Sequence, residues 1–238
     1  MVAALVLAFA PTQPAATAQP DRDDAHDYDW QVLTPGPERY VLSTEPGRAV
    51  TVRARPPAAS ADPSGNRRQV LVRSGARPSR DQTACATWVG QSASTNQEGL
   101  AVRVGTGPGD RLRAVTVTKN TYGAYDWVFN LLTWDSRRPG DAWRGIGQFD
   151  MSGVVSAQLQ LLPFPWRVCL RAEGRAIGFK VWLPDREPEP SWSDAEHTGW
   201  ARVTRGFLRP GVPGWYVGHL LPGDKISYAA MTAETDRR

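Results

Sequence analysis

The chain has 238 residues, with 28 Lys and Arg against 24 Asp and Glu, two cysteines and ten tryptophans. That length can bury the core of one large domain, and 41% hydrophobic residues is too many for a disordered chain. Two cysteines exclude a disulfide-dense miniprotein and an all-cysteine zinc site, and the +4 charge comes from arginines interspersed with acids, not from the dense basic stripe of a nucleic-acid binder.

Val2 to Ala10 is an uninterrupted apolar run, followed by a Pro/Ala/Thr-rich stretch that ends Ala16-Thr17-Ala18. This is the pattern of a secretory signal peptide over residues 1–18, although no Lys or Arg precedes the run. It is too short for a transmembrane helix, which needs about 20 apolar residues, and no later stretch is long enough either. The expectation is therefore a secreted protein, extracellular or cell-wall associated. Residues 19–238 are read as a single domain, best supported over residues 69–236.

Arg53 to Arg68 is rich in Pro, Ala, Ser, Gly and Arg and reads as a loop, and the region before residue 70 can supply the first strands of the same domain. Short strand-like runs then recur: Gln69 to Arg73, Thr83 to Gly90, Gly99 to Val104, Arg113 to Lys119, Trp127 to Trp134, Val154 to Leu162, Trp166 to Ala172 and Ile177 to Trp182. Gly199 to Thr204, Trp215 to Leu220 and Ile226 to Met231 complete the series. Between them lie turn sequences such as Gly105-Thr-Gly-Pro-Gly-Asp110 and Leu221-Pro-Gly-Asp224, in which Gly supplies positive φ and Pro presets φ. No window carries a helical apolar stripe for three turns, whereas period-two alternation is clear in Arg113 to Lys119 and Ile177 to Trp182. The expected fold class is all-β, a sandwich or a barrel. Cys85 and Cys169 both fall in strand-like runs. In an oxidising compartment a lone pair of this kind forms one disulfide, worth about 4.5 kcal/mol by chain entropy for so long a loop.

From Trp166 the chain reads W-R-V-C-L-R-A-E-G-R-A-I-G-F-K-V-W-L-P-D-R-E-P-E-P-S-W. This looks like a hairpin turning at Glu173-Gly174, then a loop clasped by Trp182, Pro190 and Trp192. It resembles the back half of laminin-G-like members of the concanavalin A-like lectin/glucanase superfamily, of the exported actinobacterial type. Trp166, Arg167, Gly174, Lys180, Val181, Trp182, Glu189, Pro190 and Trp192 match its pattern, and Asp185 replaces a usual Gly. Residues 210–218 and 226–231 are similar to its last two strands, and residues 97–104 and 126–135 more loosely to its front sheet. The resemblance implies a two-sheet antiparallel β-sandwich, a curved jelly roll whose concave sheet and rim loops bind sugars, in some members with Ca²⁺.

Glycosidases of that superfamily carry Glu-x-Asp-x-(x)-Glu on one strand, so that two carboxyls face each other roughly 5–9.5 Å apart. The pattern is missing here. Asp27/Asp29 and Glu187/Glu189 are among the acidic i, i+2 pairs, and the second of these lies between prolines in the clasp. There is no G-x-S-x-G elbow, and His26, His197 and His219 are scattered. A non-catalytic role is the stronger reading. A divergent glycoside hydrolase and a protein-binding adhesion domain are the alternatives.

Sugar faces are apolar C–H surfaces that stack on aromatic rings. Around Trp127 to Trp134, alternation sends Trp127, Phe129 and Leu131 to the core and Asp126, Val128, Asn130, Leu132 and Trp134 to the other face. Trp134, Asn130 and Asp126, with a donor fork from Arg103 on a neighbouring strand, are the candidate ligand-binding residues for a glycan of the cell envelope or environment. No cofactor is required. A structural calcium would draw on the acidic cluster of Asp23, Asp24, Asp27 and Asp29, with Asp27 and Asp29 the named candidates.

Overall fold

The computed structural model describes residues 27–45, 49–55, 65–107, 109, 111–121 and 127–235. The expected signal peptide, residues 1–18, lies outside them. Two seven-stranded antiparallel sheets stack face to face. The strands in chain order are β1 (Tyr28–Thr34), β2 (Arg39–Glu45), β3 (Ala49–Arg55), β4 (Arg68–Arg73), β5 (Gln82–Gln91), β6 (Gln97–Gly107), β7 (Arg111–Lys119) and β8 (Val128–Asp135). They continue with β9 (Trp143–Asp150), β10 (Ser156–Ala157), β11 (Gln160–Leu161), β12 (Trp166–Glu173), β13 (Ala176–Trp182), β14 (Thr198–Arg202), β15 (Val212–Gly218) and β16 (Lys225–Thr235). The first sheet runs β1-β4-β15-β6-β7-β8-β9 and the second β14-β13-β12-β5-β16-β3-β2. This is a jelly-roll sandwich, all-β as the alternating runs indicated and a two-sheet antiparallel β-sandwich as the family resemblance implied.

Alternation places the core. Phe129 and Leu131 of β8, Val115 and Val117 of β7 and Leu100 and Val102 of β6 point into the sandwich and are fully buried. They meet Trp88 of β5, Val168 and Leu170 of β12, and Phe179 and Val181 of β13. Trp88, Phe129 and Phe179 form a continuous stack, with centroids 5.7 and 5.4 Å apart and both ring pairs 9° from parallel. Rings in such offset contact contribute about 0.5–1.5 kcal/mol per pair beyond the area they bury.

Cys85 and Cys169 sit directly opposite each other in the β5–β12 ladder and are joined by a disulfide. Strand alternation predicts that geometry once both residues lie in paired strands, because opposed residues share a face.

Three segments differ from the sequence reading. Arg53 to Arg55, read as loop, end β3, and Arg68 begins β4. Val154 to Leu162, read as one strand, is a four-residue helix α1 (Ser152–Val155) followed by the small β10–β11 ladder. Gln158 and Leu159 sit at positive φ and form the turn between those two short strands. The whole of β9 went unread, for Trp143-Arg-Gly-Ile-Gly-Gln-Phe-Asp150 has two glycines and no clean alternation. It pairs with β8 at the sheet edge, with a register shift between Leu131 and Leu132.

Candidate functional site

The outer face of the first sheet is hollowed into a groove of about 520 Å³. Its floor is set by strand register. On β8, the neighbours of the core residues Phe129 and Leu131 are Asn130, Leu132 and Trp134, which face outward and line the groove. Their ladder partners on β9 are Gln148, Gly145 and Trp143, and those on β7 include Thr118 opposite Asn130. From the other side, Tyr216 of β15 lies opposite Gly99 of β6 and Val70 of β4, and Arg68 lies opposite Gly218. His219 follows Gly218 and lines the same end.

The aromatic groups divide into floor and wall. Trp134 is only 2% exposed, its Nε1–H donates to Thr116 Oγ1 at 2.9 Å, and it packs on Tyr216 at 6.1 Å. Tyr216 is fully buried and its hydroxyl donates to Gln97 Oε1 at 2.6 Å. Gln97 in turn donates to the Lys119 carbonyl at 3.0 Å. These rings are therefore locked and pre-organised. Trp143 is the open one, 43% exposed on the edge strand beside Trp134. Asn130 donates to Asn120 Oδ1 at a long 3.5 Å, and Gln148 is exposed. Gly145 and Gly147 would share a face in a regular strand, but the register shift between them sets Gly147 opposite Leu131 and Gly145 opposite Leu132. A Cβ on Gly147 would strike Phe149 at 2.6 Å on the core side, whereas one on Gly145, opposite outward-facing Leu132, would meet nothing within 4 Å.

One end of the groove is electrostatically distinct. Arg68 Nη2 donates to His219 Nε2 at 2.9 Å, and Nη1 donates to Thr34 Oγ1 at 3.3 Å and the Asn66 carbonyl at 3.1 Å. Burial, with the adjacent Arg68 charge, holds the His219 pKa down at about 4 against a weaker opposing hydrogen bond with the Gly65 backbone. His219 is thus neutral at physiological pH, with Nε2 accepting from the guanidinium.

The candidate residues named from the sequence fare differently. Trp134 and Asn130 come together in the groove. Asp126 lies outside the described residues. Arg103 does not reach the groove. It sits at φ 55° inside a register shift between Val102 and Gly105, and its guanidinium is 2% exposed. The bulge turns it away from the face that alternation assigns it. Its donors are taken by the carbonyls of Arg80 at 2.7 Å, Phe207 at 3.1 Å and Gly174 at 2.6 Å, with Asp81 at 3.7 Å. Asp27 and Asp29 are exposed at the start of β1. Among the described residues no three His, Cys, Asp or Glu side chains gather as an ion would require. Trp143, Gln148, Arg68, His219 and Tyr216 were not singled out from the sequence.

The clasp on the second sheet is structural, as its residues suggested. Lys180, buried, bonds Glu189 at 2.6 Å and the Pro190 carbonyl at 2.9 Å, and its ammonium lies 4.8 Å from the Trp192 ring centroid and 5.3 Å from that of Trp182. Glu187 accepts from the Leu183 N–H at 3.0 Å. His197 bridges Glu187 and Asp194, each at 3.1 Å. Burial lowers the His197 pKa, but the two carboxylates outweigh it and raise the pKa above its ordinary value.

No protein-family model and no curated protein matches the chain. Among solved structures it is similar to a protein of unknown function with a galectin-like fold from Bacillus subtilis, at 11% identity and TM-score 0.56 over 92% of this chain and 96% of that one. It is also similar to the exoplasmic/lumenal domain of VIP36 in its metal-free form, at 9% identity and TM-score 0.50 over 89% and 85%. A third similarity, at 10% identity and TM-score 0.47 over 87% and 95%, is to the carbohydrate-binding module CBM66 of Bacillus subtilis. Such identities speak to fold alone, and the first two similarities agree with the jelly-roll sandwich described above.

Proposed function

We propose that the chain is an exported, non-catalytic carbohydrate-binding protein that holds a glycan of the cell envelope or environment in the groove over β8, β9 and β15. The observation that carries this reading is the make-up of the groove. The open ring of Trp143 and amides of Asn130, Asn120 and Gln148 line one outward face, over a floor packed by the buried rings of Trp134 and Tyr216. A saccharide presents apolar C–H faces and equatorial hydroxyls, and this lining offers both counterparts. Pre-organisation of the floor reduces the side-chain ordering that binding would cost. The described lining contains amides, hydroxyls, rings and one guanidinium, a set suited to holding a sugar; hydrolysis would call for a pair of carboxyls. Residues 1–18 act in this reading as the export signal, with one domain from residue 19 onward. Any bound calcium would be structural.

The decisive experiment is a glycan array followed by calorimetry on the best ligand. Trp143→Ala removes the exposed ring, and Gly145→Leu starts a side chain on the groove face at a position where a Cβ meets nothing within 4 Å. Each variant is expected to weaken binding at least tenfold while the thermal midpoint stays within a few degrees of the parent. A glycan bound equally well by both variants would move the site elsewhere. New reducing ends released from the ligand would overturn the non-catalytic reading. N-terminal sequencing of secreted protein should find the chain starting after Ala18.

A further inference from the structure

Arg68 is the only formally charged side chain among the described residues lining the groove. A guanidinium has five N–H donors. The hydrogen bonds of Arg68 use both donors of Nη1, on Thr34 Oγ1 and the Asn66 carbonyl, and one of Nη2, on His219 Nε2. The Nε–H and one Nη2–H are left, and a carboxylate or phosphate oxygen is a charge-assisted acceptor for such donors. The contacts already made fix the orientation of the fork, so little rotamer freedom is lost when an anion docks. Among the described residues no carboxylate lies within 4 Å of Arg68, in contrast to Arg111, whose guanidinium is closed on Asp135. His219 shares this end of the groove as a neutral acceptor, so among the described lining residues the formal charge is that of Arg68 alone.

Resting on the carbohydrate-binding reading above, we propose that the groove selects acidic glycans, seating one anionic group of the sugar on the unused N–H donors of Arg68 while Trp143, Asn130 and Gln148 hold the adjoining rings. The shared ligand chemistry is an oxyanion carried on a saccharide. A uronic acid and a sulfate or phosphate ester are its two sources.

The test uses the full mature protein and matched probes: polygalacturonate, alginate and hyaluronan, each beside its carboxyl-reduced derivative, and dextran sulfate beside dextran. Binding of an acidic member with loss of about 10- to 100-fold in its neutral counterpart is expected, the range for removing a hydrogen-bonded charge. Arg68→Gln should produce the same loss against the acidic probe and Arg68→Lys, which keeps charge without the fork, a smaller one. Carboxylate and sulfate sources separate by which probe pair shows the difference. Because the ligand arm needs no mutation, a folding defect in the Arg68 variants does not obscure the outcome. Equal binding of charged and neutral members, with Trp143→Ala still disruptive, would overturn the selectivity while leaving the groove as the glycan site. Failure to bind any probe or any glycan on the array would overturn both.

Discussion

His219 gives a quantitative test of the groove electrostatics through stability. Its ordinary pKa is 6.5, and in the fold it is held at about 4 by burial and by Arg68. Arg68 can only donate, so Nε2 of His219 must accept, and the proton that would charge the ring must go onto the atom that accepts from Arg68. The sign follows directly. Above pH 6.5 both folded and unfolded chains carry neutral His219, and the residue contributes no pH dependence. As pH falls from 6.5 towards 4 the unfolded chain takes up a proton that the folded chain refuses, so stability is lost. Below 4 both states are charged and the loss levels off. Integrated between those two pKa values, the loss is about 2 kcal/mol at pH 5 and about 3 kcal/mol at pH 4. His219 sits at φ 56°, so Asn, which tolerates the left-handed region, is the replacement that isolates titration from backbone strain. Urea unfolding followed by tryptophan fluorescence at pH 7, 6, 5 and 4 should show the parent losing that much more stability than His219→Asn. An imidazole resonance titrating near pH 4 should accompany it. Parallel pH curves for the two proteins, or a ring titrating at pH 6 or above, would refute the reasoning.

His197 should behave in the opposite sense. Both of its nitrogens face carboxylates, so its folded pKa is raised, and its contribution is fully present below pH 6.5 and fades as pH rises through the folded value. His197→Gln should therefore be more destabilising at pH 5 than at pH 8 in the same urea series, and a constant difference would count against it. The Cys85–Cys169 disulfide closes a separation of 84 residues, for which chain entropy gives about 4.5 kcal/mol. A Cys85→Ala/Cys169→Ala double variant should lower stability by an amount of that order in calorimetry, and a loss below about 1 kcal/mol would show that the reduced chain is restrained by other means.

How far the sequence alone discloses the site depends on how local each piece of information is. Period-two alternation is local, and it places Phe129 and Leu131 in the core and Asn130 and Trp134 in the groove. The clasp is nearly local, because Lys180 and Glu189 are nine residues apart. Strand β9 is not legible in that way. Its glycines weaken any strand signal, and it is a strand because β8 offers it a ladder; yet it supplies the exposed ring of Trp143 and the open space at Gly145. Arg68 and His219 are 151 residues apart and meet only because β4 and β15 pair, which no spacing in the sequence announces.

The contrast between two arginines shows what register adds to residue type. Arg103 and Arg68 both lie on strands of the first sheet, and both could offer a planar fork to a ligand. At Arg103 a bulge with positive φ swings the side chain out of the groove face and onto three carbonyls, which leaves it a brace between loops. At Arg68 the ladder to Gly218 is regular, the side chain stays with the groove, and its three hydrogen bonds are made to neutral partners. The same residue type thus becomes a structural brace where its donors are consumed and, in the proposal above, a ligand anchor where donors remain. The assignment of Arg68 rests on the count of its unused donors and on the neutrality of His219, both of which the acidic-glycan and pH measurements test independently.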